Sequence, residues 1–230
     1  MQTLILLPGL LCDAALWAHQ ERYLSDIVDV RIADLTLDDS LEMMAARVLA
    51  DAPDRFALAG LSMGGYAALA ILRAAPERVS RLALLDTAAR PDTKEQATRR
   101  RILMQLAGRG QFKGVTPRLL PLLLHPDRVH EEALAETVMA MAERVGLDAF
   151  LRQQRAITSR PDARPGLSAI RVPTMVLCGR QDTITPLARS QELAAGIAGA
   201  RLAVIEECGH LSSIERPHAV TALLRLWLTA

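Results

Sequence analysis

Aromatic residues make up only 3% of this 230-residue chain, which argues against a ligand pocket built mainly from stacked rings. Cysteine is scarce too. The three thiols, at positions 12, 178 and 208, cannot close into a full set of disulfides, and their spacing matches no metal-site pattern. A reducing compartment fits best, and the expected location is the cytoplasm. Excess charge of either sign is missing. Lys and Arg number 27 against 26 Asp and Glu, for a formal net charge of +1, without the basic surface that nucleic-acid binding usually needs. No apolar run is long enough to span a bilayer. The run Leu4 to Leu7 stops at Pro8 with no positive segment before it, too short for a signal sequence. What is abundant is aliphatic: half the residues are hydrophobic and 23% are charged, a globular composition rather than a disordered or low-complexity one.

Short apolar runs alternate with stretches of helical spacing. Leu4 to Leu7, Asp29 to Ile32, Phe56 to Ala59, Arg81 to Leu85, Thr174 to Cys178 and Arg201 to Ile205 read as strands. Several are apolar almost throughout, as in strands covered on both faces by helices, whereas Asp29 to Ile32 is more polar and suits an edge. Between them, Ala14 to Leu24, Ser40 to Leu49, Met63 to Ala75, Pro186 to Ala195 and Ala219 to Leu228 read as helices, giving an α/β fold with a mostly parallel sheet. From 91 to 165 the alternation stops. Thr93 to Ala107, Thr116 to Leu124, Glu131 to Val145 and Leu147 to Ile157 all read as helices, more than a crossover between parallel strands needs. The expected organisation is a core of 1–90 and 166–230 with a helical cap, 91–165, over the strand ends.

The sharpest motif is Gly60-Leu61-Ser62-Met63-Gly64, entered by a strand and left by a helix of small residues. A chain reversing that sharply presents the serine at a helix N-terminus, and a Cβ at Gly60 or Gly64 would crowd its neighbours. A hydroxyl is a poor nucleophile and needs a base oriented by a third group. His210, just beyond the last strand, is the best placed of the five histidines. Asp182, after the strand Thr174 to Cys178, is the preferred orienting acid, and Asp86, at the end of the strand before, is its competitor. Pro8-Gly9-Leu10-Leu11 follows the first strand, where backbone N–H donors to a developing oxyanion are required; Leu10 and Met63 are the natural suppliers.

These elements, in the order Ser62, Asp182, His210, resemble the α/β-hydrolase fold superfamily over essentially the whole chain. The likeness is strongest to its small bacterial branch of carboxylesterases, enol-lactonases, carrier-protein methyl-ester esterases and menaquinone-pathway lyases. Two features depart from that pattern. Pro8-Gly9 stands where the family often has His-Gly, and the first strand starts so early that the usual N-terminal hairpin is missing or reduced. The resemblance implies serine-dependent hydrolysis of small to medium aliphatic esters or thioesters through an acyl-enzyme, with neither metal nor organic cofactor. The alternatives are a lactonase, a carbon–carbon hydrolase or lyase using the same triad, and a non-catalytic binding protein on the same fold.

Leu11, Arg160 and Arg164 are candidate substrate-pocket residues, the arginines as binders of a substrate carboxylate. The cap residues Leu103, Met104, Leu106, Leu119, Leu120, Leu122, Leu123 and Leu124 are expected to pack among the cap helices or line an acyl site. Lys94, Arg99, Arg100, Arg101, Arg109, Lys113 and Arg118 face only Glu95 within their segment. They form a solvated face or, in the sharper reading, a receptor for an acidic acyl carrier protein or an anionic substrate. The chain is expected to be a monomer or a homodimer.

Overall fold

The computed structural model describes residues 1–230. Its six strands are β1 (Thr3–Leu7), β2 (Asp29–Ile32), β3 (Phe56–Leu61), β4 (Val79–Leu85), β5 (Thr174–Gly179) and β6 (Arg201–Ile205). All pair in parallel, in the order β2-β1-β3-β4-β5-β6. Every residue of β1, β3 and β5 is buried. The edge strand β2 alternates between exposed and half-buried residues, as its more polar sequence requires. The chain leaves β1 toward one edge and returns to pair β3 on the other side of β1, so the order reverses between them. In an open α/β sheet the loops at such a reversal diverge and leave a crevice. Here those loops are Pro8–Leu11 and the Ser62 turn.

The helices are α1 (Ala18–Leu24), α2 (Leu41–Asp51), α3 (Met63–Ala74), α4 (Lys94–Leu106), α5 (Leu120–Leu123), α6 (Glu132–Thr158), α7 (Leu187–Gly196), α8 (Ser212–Glu215) and α9 (Pro217–Thr229). The expected helix from Ala14 opens instead with a tighter turn, Ala14–Trp17, whose N–H at Ala15 is taken by the Asp13 carboxylate at 2.9 Å. Alternate strand residues feed two cores. Ile5, Leu58, Leu82 and Val176 pack with Met44, Ile71 and Leu193 on one face of the sheet. Leu4, Leu6, Ala83 and Leu177 pack with Leu24, Val220 and Trp227 on the other.

The segment 91–165 contains no strand, and its parts differ in attachment. α6 bends at Gly146 (φ 75°, ψ 179°), a backbone state open essentially to glycine alone; this is where the sequence divides the predicted pair of helices. Before the bend Leu134, Val138 and Met141 join one core, and after it Ala156 and Ile157 join the other. α4 buries no side chain at all. Leu120 and Leu124 are buried in the core that holds Leu4 and Leu6, but Leu103, Leu106, Leu119 and Leu122 are exposed. The face that α4 turns inward carries the half-buried Ala97, Arg100 and Met104, and Arg100 meets α6 through a hydrogen bond to Gln154 at 2.9 Å. No helix is long and apolar enough to cross a membrane.

Candidate active site

Ser62 links β3 to α3 at φ 55°, ψ −115°. A non-glycine residue held there stores about 1–3 kcal/mol of strain and persists only where its surroundings impose it. The Ser62 N–H donates to the Leu85 carbonyl at 3.0 Å. Its carbonyl accepts from Gly65 N–H at 2.9 Å and from the Thr87 hydroxyl at 2.7 Å. The two flanking glycines are sterically obligatory. A Cβ on Gly60 would sit 2.2 Å from the Gly64 carbonyl oxygen, and one on Gly64 would sit 2.1 Å from that of Leu7.

The structure brings Ser62, Asp182 and His210 together. His210 Nε2 lies 2.9 Å from Ser62 Oγ and its Nδ1 lies 2.8 Å from Asp182 Oδ2. Asp182 Oδ2 also accepts from the Thr185 hydroxyl at 2.7 Å. Its Oδ1 accepts from the N–H groups of Ile184 and Thr185 at 2.8 and 2.9 Å. Burial alone would raise the Asp182 carboxyl, but His210 and these donors outweigh it and hold the group below its ordinary value. Burial would likewise lower His210; the Asp182 carboxylate overrides that and leaves the imidazole above its ordinary value. With Nδ1–H directed at the carboxylate, Nε2 is left to accept from the serine.

Asp86 is close but differently employed. Oxygens of Asp86 and Asp182 and the Cys178 sulfur all lie within 4.8 Å of one another. Asp86 accepts from Gly179 N–H at 2.8 Å and from the Ser212 hydroxyl, and makes no hydrogen bond to His210. Complete burial, and then the Asp182 charge, push its carboxyl up to about 8. It is a brace between the acid loop and the histidine loop. Burial also pushes the Cys12 and Cys178 thiols up to about 12 and Cys208 higher still. All three thiols are free, and none is in the thiolate form that attacks.

The Leu10 and Met63 N–H groups make no hydrogen bond within the chain; Met63 opens α3, where an N–H has no intrahelical acceptor. The Pro8–Leu11 loop lies against the serine, since a Cβ on Gly9 would sit 3.5 Å from Ser62 Cβ. The Leu11 N–H, by contrast, is taken by Gln153 Oε1 at 3.0 Å, and its side chain is buried with Ala107, Ala142 and Phe150. The two arginines separate. Arg160 stacks over Tyr66, one turn beyond Ser62, at 4.2 Å and pairs with the buried Asp92 at 2.9 Å. Arg164 does not join the site: it is held outside by Asp162 at 2.5 Å, with Glu192 at 4.0 Å.

Two buried polar residues beside the site escape sequence reasoning. The Glu215 carboxylate takes the N–H groups of His125 and Gly209, tying the histidine loop to the 91–165 segment, where Leu123 O also accepts from His210 N–H at 2.9 Å. Gln153 does the same for the Leu11 loop. Nothing in local spacing distinguishes them from the exposed Glu and Gln that dominate helix surfaces.

A strained serine, an aligned histidine–aspartate pair and free backbone donors at the sheet's reversal point describe a family as well as a site. A family model described as "Alpha/beta hydrolase family" matches residues 4–223, and the chain belongs to that family. It is 27% identical to a 2-hydroxy-6-oxononadienedioate/2-hydroxy-6-oxononatrienedioate hydrolase of Klebsiella pneumoniae, over 97% of this chain and 85% of that one. Among solved structures it resembles a thermophilic esterase from Thermogutta terrifontis (TM-score 0.89, 27% identity, 100% of this chain and 90% of that one). It also resembles the enol-lactonase from Burkholderia xenovorans LB400 (TM-score 0.87, 27% identity, 100% and 92%). The relatives are hydrolases, and the fold expected from the sequence is the one found, with all six strands parallel and no N-terminal hairpin in the sheet.

Proposed function

We propose that the protein is a serine hydrolase of small to medium aliphatic carboxylic esters, working through an acyl-enzyme on Ser62. The observation carrying this reading is the 2.9 Å approach of His210 Nε2 to a serine oxygen on a strained turn. His210 takes the hydroxyl proton as Oγ attacks the carbonyl carbon, and Asp182 stabilises the imidazolium that forms. The carbonyl oxygen gains negative charge and is met by the Leu10 and Met63 N–H groups. His210 then passes its proton to the departing alcohol. A water deprotonated by the same nitrogen attacks the acyl carbonyl, releasing the acid and restoring Ser62. The scarcity of aromatic residues, 3% of the chain, is in keeping with an aliphatic acyl group.

A second reading is carbon–carbon bond hydrolysis by the same residues, favoured by the Klebsiella relative. The acidic-carrier reading of the basic segment also stands as a proposal. Arg100 is drawn to Asp92, but Lys94, Arg99, Arg101, Arg109, Lys113 and Arg118 are exposed and take no part in the chain's salt bridges. One experiment tests these readings: wild type and Ser62→Ala are treated with a fluorophosphonate. Both are then assayed on p-nitrophenyl esters of two to about twelve carbons, an enol-lactone, a vinylogous 1,5-diketone acid and a carrier-bound methyl ester, at low and high salt. We expect labelling and ester turnover in wild type only, with salt slowing only the carrier-bound substrate. Turnover of the diketone alone would replace the ester assignment, and a folded wild type without labelling or turnover would overturn the mechanism.

A further inference from the structure

Leu11 has φ 58°, a left-handed conformation that a branched aliphatic residue adopts only under constraint. The constraint comes from α6, more than a hundred residues away in the chain. Gln153 is completely buried, and its amide divides between two loops of the sheet. Oε1 accepts from Leu11 N–H at 3.0 Å and Nε2 donates to the Leu35 carbonyl at 3.2 Å. The next contact along reinforces it: Arg152 Nε donates to the Thr36 carbonyl at 2.8 Å. The Leu11 side chain meanwhile fills an apolar nest supplied by the same segment, Ala107, Ala142 and Phe150. Both the backbone and the side chain of Leu11 are thus fixed from outside the core.

We infer that Gln153 is a positioning residue for the oxyanion site, holding Leu11 so that the N–H one residue earlier, on Leu10, stays free and beside Ser62. The inference rests on the serine-hydrolase reading. It also gives the 91–165 segment a part in the chemistry distinct from covering the substrate. Without the Gln153 acceptor, the strained Leu11 peptide has reason to relax, and a donor displaced by about 1 Å from a developing oxyanion forfeits up to roughly 100-fold in rate.

The test compares Gln153→Met, which keeps the side-chain length and loses both hydrogen bonds, with Gln153→Glu, which keeps an acceptor for Leu11. Melting temperature establishes folding. Phosphonate labelling reports whether Ser62 is activated, kcat and KM are measured on p-nitrophenyl butyrate, and a butyl boronic acid reports affinity for a tetrahedral anionic adduct. We expect Gln153→Met to lose about 10- to 100-fold in kcat with KM within about threefold, to bind the boronate more weakly by a similar factor, and to be substantially rescued in Gln153→Glu. A folded Gln153→Met with wild-type kcat and boronate affinity overturns the inference, as does a kcat loss without weaker boronate binding. Should the Met variant not fold, Gln153→Glu decides: boronate affinity within about threefold of wild type supports the inference, and a loss beyond tenfold refutes it. A wild type that neither labels nor turns over ester removes the underlying reading, and the inference with it. A labelled, active wild type beside an unaffected Gln153→Met removes the inference alone.

Discussion

Replacing Asp182 by Asn tests the charge geometry most directly, because the structure dictates how the new amide must lie. Asp182 Oδ1 faces two backbone donors, the N–H groups of Ile184 and Thr185, so the amide oxygen has to occupy that side. The NH2 then faces His210 Nδ1 and the Thr185 hydroxyl, and the hydroxyl can turn to accept. An NH2 donating to Nδ1 makes that nitrogen an acceptor and moves the ring proton to Nε2, where it can no longer receive the serine proton. The fold survives and the chemistry does not. A triad histidine held in the wrong tautomer costs about 10⁴-fold in rate, or roughly 5 kcal/mol at one decade per 1.36 kcal/mol. The assay is kcat/KM on p-nitrophenyl butyrate from about pH 5 to 9. In wild type it should rise through a midpoint above the ordinary histidine value, since His210 must be neutral to act as base and its pKa is raised. In Asp182→Asn the plateau should fall by that factor and the midpoint move down. Asp86→Asn, at a residue that makes no hydrogen bond to His210, should cost less than about tenfold. Equal losses in the two variants, or a greater one at Asp86, would refute the assignment of Asp182.

Asp86 also makes a stability prediction. Its folded pKa of about 8 exceeds the unfolded value of about 4, so the folded state holds the proton more tightly. Wild-type stability should therefore fall as pH rises across that window; the melting temperature of Asp86→Asn relative to wild type should climb from pH 5 to pH 9, and a flat difference would count against the burial argument. Limited trypsinolysis should cut first between Lys94 and Lys113, where α4 buries nothing, while α6, set into both cores, resists. Early cleavage within α6, seen by mass spectrometry, would contradict that ranking of local stability.

Much of this was legible in the sequence because it is written in local spacing. Leu4-Ile5-Leu6-Leu7 must be covered on two faces, and Gly60-Leu61-Ser62-Met63-Gly64 has room for only one kind of turn. Chain order then brought Asp182 and His210 to adjacent strand ends. What escaped depends on partners distant in the chain. Arg160 and Arg164 look alike on paper; Asp92 draws one over the Tyr66 ring and Asp162 keeps the other outside. Gln153 and Glu215 carry no local mark of burial, since each satisfies a backbone N–H far away in sequence, that of Leu11 and of His125. The exposure of Leu103 and Leu106 likewise follows from Arg100 occupying the inward face of α4.

The bend at Gly146 has a consequence for how such a protein diversifies. Because α6 turns there from one face of the sheet to the other, the segment is a strap buckled at both ends rather than a detachable hood. Transplanting it whole into a relative would unseat two sets of interior contacts at once. The outward face of α4 has no such moorings, and it is there that substitutions can be accommodated while the loops around Ser62 stay as they are.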